Sequence, residues 1–75
     1  MGEYVDGSIV TANVKAALVD SPDTKASSIH VQTMSGDTVQ LSGYVKSSFE
    51  KNRAGEITRA VEGVREVKND LVVKP

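Results

Sequence analysis

The stretch Ile29-His-Val-Gln-Thr-Met-Ser-Gly-Asp-Thr-Val-Gln-Leu-Ser-Gly-Tyr-Val45 alternates in character on either side of one break. Ile29, Val31 and Thr33 fall on one face of an extended chain, while His30, Gln32 and Met34 fall on the other. After Ser35-Gly36-Asp37 the period resumes through Val39, Leu41, Gly43 and Val45. Two such runs around a tight, Gly-containing turn predict a β-hairpin. Gly43 sits inside the second run, where a missing side chain weakens a strand unless the backbone needs a bulge or a close approach by a helix.

N-terminal to the hairpin, Asp6-Gly7-Ser8 is a helix start signal, and Val10, Val14, Ala17 and Leu18 follow at the spacing that shares one helical face. This predicts a helix from about Ser8 to Val19, ended by Ser21-Pro22-Asp23 because Pro22 disfavours helical geometry before it. C-terminal to the hairpin, Ser47 with Glu50 three residues on forms a capping box. Ala54, Ile57, Ala60 or Val61, and Val64 supply the stripe of a second helix that stops near Gly63. Gly55 in its middle predicts tight packing against Ala16 or Ala17. Val67, Asn69, Leu71 and Val73 then alternate as a third strand.

The order is α-β-β-α-β. A right-handed crossover from strand two to strand three puts the second helix on one face, and the first helix can cover that same face. The expected fold class is therefore α+β, a two-layer sandwich of a three-stranded mixed sheet with two helices on one face. Its expected core is Val10, Val14, Leu18, Ile29, Val31, Val39, Leu41, Ile57, Val61, Val64, Leu71 and Val73. The opposite sheet face would carry His30, Gln32, Gln40, Ser42, Tyr44 and Lys68 toward water or a partner.

The chain has 75 residues, enough for one small domain, read here as a single domain over 6–74 after a disordered segment 1–5. Hydrophobic residues at 39% and charged residues at 25% argue against disordered, collagen-like and membrane-spanning classes. A formal net charge of -1 argues against a dedicated nucleic-acid binder. Without cysteine there are no disulfides, thiolate nucleophiles or Cys-ligated zinc. The first residues show no basic segment followed by an apolar stretch, so no signal peptide is expected in this chain, and no apolar run approaches a transmembrane segment.

Several stretches together resemble the BON domain, named for bacterial osmotically inducible and nodulation proteins. They are Ser8-Ile-Val-Thr-Ala-Asn-Val-Lys-Ala-Ala-Leu18, Val39-Gln-Leu-Ser-Gly-Tyr-Val45, Val61-Glu-Gly-Val64 and Val67-Lys-Asn-Asp-Leu-Val-Val73. The resemblance runs from about Asp6 to Val73. It implies an α-β-β-α-β sandwich without an active site, found in bacterial envelopes or the periplasm. It also implies association with phospholipid surfaces or envelope proteins and with osmotic stress. Members usually carry two copies of the domain, whereas this sequence has one and no internal repeat.

No reacting constellation stands out. His30 is the only histidine and points away from the predicted core set, with no nucleophile turn to serve. No two glycines stand three apart, so the Gly-x-x-Gly loop of a KH nucleic-acid domain is missing. Asp20 and Asp23 flank a Ser-Pro turn that accounts for them, and no EF-hand spacing occurs. The expectation is no catalytic residue, no cofactor and no metal.

Charge is unevenly divided. Residues 1–40 hold two basic against five acidic residues, net -3, and residues 41–75 hold seven against five, net +2. Tyr44, Lys46, Phe49, Lys51 and Arg53 cluster around the junction of strand two and helix two, where basic groups and aromatic anchors suit an anionic phospholipid surface. Lys51 stands about 200° around the helix from Phe49, whereas Arg53 shares the Phe49 face. The alternative partner is an envelope protein, docked on an exposed sheet edge or on the polar sheet face. Sequence leaves the oligomeric state open.

Overall fold

A computed structural model describes residues 7–24, 28–35 and 37–74. The expected disordered segment 1–5 and the start signal at Asp6 lie outside these residues. Helix α1 spans Gly7–Asp20, strands β1 and β2 span Ser28–Met34 and Thr38–Val45, and helix α2 spans Ser48–Arg59. Strands β3, Glu66–Asn69, and β4, Val72–Val73, complete the order. β1 pairs antiparallel with β2 from Ser28 opposite Tyr44 to Met34 opposite Thr38. β3 and β4 both run parallel to β2, with Thr38 opposite Glu66 and Val45 opposite Val73.

β3 and β4 thus share one edge of β2 in a single register, and the expected third strand is divided at Asp70-Leu71. The division faces Ser42-Gly43, where Gly43 adopts φ 113° and turns β2 out of regular pleat. The Asn69 carboxamide oxygen takes the Leu71 N–H at 3.3 Å, and the Asp70 N–H donates to the Leu41 carbonyl at 2.9 Å. These bonds satisfy the backbone where the ladder lapses.

Both helices lie on the same face of the sheet, as the two-layer reading requires. Val10, Val14 and Leu18 of α1 and Ala54 of α2 form one buried cluster with Val39, Leu41, Val45 and Leu71. Ile29, Val31, Ile57, Val61, Val64 and Val67 pack around it, partly buried. A hydroxyl contact between Thr11 and Thr33, 2.5 Å, joins α1 to β1. Val73, expected in the core, is 37% exposed, because β4 has only two residues at the rim of the sheet.

Three local expectations change. α2 ends at Arg59 with Ala60 as its C-cap, earlier than Gly63; Gly63 instead takes φ 95° in the turn that follows. Gly55 faces Asn69, not α1: a Cβ there would stand 3.0 Å from Asn69 Nδ2, which donates to the Lys51 carbonyl at 2.8 Å. Gly43 admits the backbone of β1 rather than a helix, since a Cβ there would overlap the Ser28 carbonyl. In the hairpin turn, Ser35 holds the left-handed conformation at φ 56°, and Gly36 lies outside the described residues.

Two buried threonines secure the helices. Thr24 Oγ1 donates to the Leu18 carbonyl at 2.5 Å and closes the end of α1, and Thr58 Oγ1 donates to the Ala54 carbonyl at 2.8 Å within α2. At the start of α2, Ser47 Oγ accepts from the Glu50 N–H at 3.1 Å, and Glu50 Oε1 accepts from the Lys46 N–H at 2.7 Å. The Ser47 half of the predicted capping box is formed, and the Glu50 carboxylate accepts from the residue before Ser47. Ser47→Ala is expected to cost about 1 kcal/mol and to lower Tm by about 4–8 °C, read by thermal unfolding.

Candidate functional site: the corner where β2 meets α2

β2 ends at Val45, Lys46 and Ser47 make the turn, and α2 begins at Ser48. The five sequence-predicted binding residues sit around this turn on different sides of it. Tyr44 is the last outward-facing residue of β2 and is 52% exposed on the sheet face that the helices leave open. Lys46 is exposed in the turn itself. Phe49, in the first turn of α2, is 63% exposed, a large apolar surface for a ring next to a well-packed core.

Lys51 and Arg53 stand apart from that set. The Lys51 carbonyl receives the Asn69 amide, which turns this side of α2 toward β3. Arg53 Nε donates to Asp23 Oδ2 at 3.0 Å and Arg53 Nη1 to Glu56 Oε1 at 3.2 Å. These two carboxylates, Asp23 first, hold the guanidinium pKa above its usual value. The Asp23 contact fastens α2 to the loop after α1, so much of the Arg53 charge is answered within the domain.

The corner also includes two residues that the sequence reading left out. Val72 lies opposite Tyr44 in the parallel register, on the same open face, and is 52% exposed. Lys74 holds its ammonium 4.8 Å from the Tyr44 ring centroid, a cation–π contact. The Lys74 N–H donates to the Val45 carbonyl at 2.7 Å, which fixes its backbone beside β2. Alternation alone could place Val72 and Lys74 on one face, but only the β2–β4 register brings that face to Tyr44.

Tyr44 and Val72 form an exposed patch on the open sheet face with the Lys74 ammonium over the ring, while Lys46 and Phe49 are exposed in the turn and on the first turn of α2. His30 is exposed on the open face opposite Ser42. Among the described residues no group of three or more His, Cys, Asp or Glu could hold a metal ion, and no helix is long and apolar enough to cross a membrane.

Comparison with known proteins bears on this corner through the whole domain. Residues 6–75 match the BON domain. The chain is 40% identical over 74 residues to osmotically-inducible protein Y of Escherichia coli (strain K12). That alignment covers 99% of this chain and 36% of the relative, so the chain spans about a third of that protein's length.

Proposed function

The chain belongs to the BON domain family, and from that premise we propose that it is a non-catalytic module of the bacterial envelope that adsorbs to anionic phospholipid surfaces in the response to osmotic stress. The name of the E. coli relative supports the osmotic setting. The periplasm is the compartment that fits this reading. The observation that carries the lipid reading is the exposed pair Tyr44 and Val72 on the open sheet face with the Lys74 ammonium over the Tyr44 ring, followed by the exposed Lys46 and Phe49 at the turn into α2. Aromatic rings settle at the headgroup level, and each nearby lysine adds about 1 kcal/mol of attraction to an anionic leaflet.

Lys74 joins this set through Tyr44. Lys51 adds long-range attraction from the far side of α2, and Arg53 contributes least because Asp23 and Glu56 already face it. The free N–H groups at the start of α2 also favour phosphate, although Ser47 and the Glu50 carboxylate occupy part of that end.

Vesicle co-sedimentation at low and high salt, with and without anionic lipid, tests the reading. Binding is expected only with anionic vesicles and is expected to fade as salt screens the lysines. Lys46→Glu with Lys74→Glu should weaken it by at least about thirtyfold, at about 1 kcal/mol for each lysine lost. Unchanged binding by that double variant, or equal binding to neutral vesicles, would favour docking on an envelope protein.

A further inference from the structure

The two edges of the sheet are built differently. On one side β3 and β4 are short and interrupted, and Glu66, Lys68, Asp70 and Lys74 lie along them. Charges, shortness and breaks are the devices by which natural sheets keep an edge from pairing with another chain. On the other side β1 runs for seven residues, Ser-Ile-His-Val-Gln-Thr-Met, without Lys, Arg, Asp, Glu, Pro or Gly. Among the described residues β1 pairs with β2 alone. In an antiparallel ladder every second residue turns both its N–H and its C=O away from the neighbour, so β1 presents a row of open backbone groups.

We infer that β1 is a self-association edge, on which a second copy of this chain lays its own β1 antiparallel, with Val31 at the two-fold axis. A two-fold antiparallel contact matches each residue with its mirror position about the axis, and around Val31 this opposes residues of like character. About Val31, Ile29 falls opposite Thr33 of the second copy and His30 falls opposite Gln32. Ile29, Val31 and Thr33 share the helix-facing side, where all three are only half-buried. Pairing places their remaining surface against the same three β-branched residues of the second copy, the kind of cross-strand contact that stabilises a sheet. His30 and Gln32 are exposed on the open face and meet as polar partners with no like charges opposed. An unrelated peptide would add to the same backbone groups, whereas a second β1 also sets β-branched residues against β-branched residues and neutral polar residues against neutral polar residues.

Analytical ultracentrifugation from about 10 μM to about 1 mM, a range that brackets a weak small interface, provides the test. The wild type is expected to show a concentration-dependent monomer–dimer equilibrium. His30→Lys with Gln32→Lys changes two exposed side chains and leaves the core untouched, yet it opposes lysines across the axis and should weaken dimerisation by at least about tenfold. His30→Glu with Gln32→Glu should do the same, and an equimolar mixture of the two variants should restore the dimer. A wild type that stays monomeric at the highest concentration, a dimer that neither variant weakens, or a mixture that stays monomeric would overturn the proposal. Isotope-filtered NMR on a mixed-label wild-type sample reads the interface without any substitution. It should show contacts between Val31 of one copy and Val31 of the other, and a dimer lacking them would also overturn it.

Discussion

Gly43→Ala is expected to lower the unfolding free energy by about 3 kcal/mol or more and Tm by at least about 12 °C. Two costs combine. The backbone at φ 113° lies in a region that L side chains rarely adopt. The new Cβ would also meet the Ser28 carbonyl, which belongs to the backbone of β1 and cannot turn aside as a side chain could. Relief requires β1 to move away from β2 at the Ile29–Gly43 pair, and that movement would also loosen β1 from α1. A domain of this length has about 4–11 kcal/mol in total, so one methyl group would remove a large share of it. Ser42→Ala, one residue away, should change stability by only about 0.5 kcal/mol. Chemical denaturation of the two variants side by side decides the matter, since equal midpoints would mean that Gly43 holds no special conformation.

That glycine shows how far periodicity can be read and where it stops. The alternation of 29–45 was sufficient for two strands, a turn and an inward face, because strand side chains must alternate whatever surrounds them. The same alternation was blind to the division of the third strand. Asp70 and Leu71 leave the ladder because of what β2 does at Gly43, a contact between segments far apart in sequence. Gly55 failed for a related reason. Its neighbour could be any small-residue face, and only the packed structure shows Asn69 reaching through the gap to the Lys51 carbonyl. The apolar stripe of α2 outlasts its helical backbone, because Val61 and Val64 still pack on the core after the helix has ended at Arg59.

Where the candidate residues lie was legible in part for the same physical reason. Tyr44, Lys46 and Phe49 are close in sequence, so they flank one capped turn whatever the rest of the chain does, though on different sides of it. Arg53 carries an equal charge, but its long-range partner Asp23 lies thirty residues away and no local pattern announces it. Lys74 is the converse case: distant in sequence from Tyr44, it is brought over the ring by the parallel register. Charge counting along the chain cannot separate a lysine on an exposed aromatic from an arginine fastened between two carboxylates. The difference sets which substitutions should alter adsorption and which should alter the packing of α2 on the loop after α1.

Leu41→Ala should cost about 2–5 kcal/mol, with a denaturation slope close to wild type. Leu41 is fully buried in the middle strand of the sheet, opposite Val31 on one side and Asn69 on the other. It belongs to the cluster that receives α1 through Val10 and Val14 and α2 through Ala54, so the cavity would open where all the elements meet. Collapse into that cavity is restricted from below, because the Leu41 carbonyl holds the Asp70 N–H where the third lane of the sheet is already broken. The cost should therefore fall in the upper half of the range, whereas Leu41→Met, which keeps the volume, should stay below about 1.5 kcal/mol. Val72→Ala provides the contrast. That side chain is half exposed on the open face, so its removal should cost little stability while reducing adsorption to anionic vesicles. If Leu41→Ala and Val72→Ala proved equally destabilising, the assignment of the inner and outer faces of this sheet would be wrong.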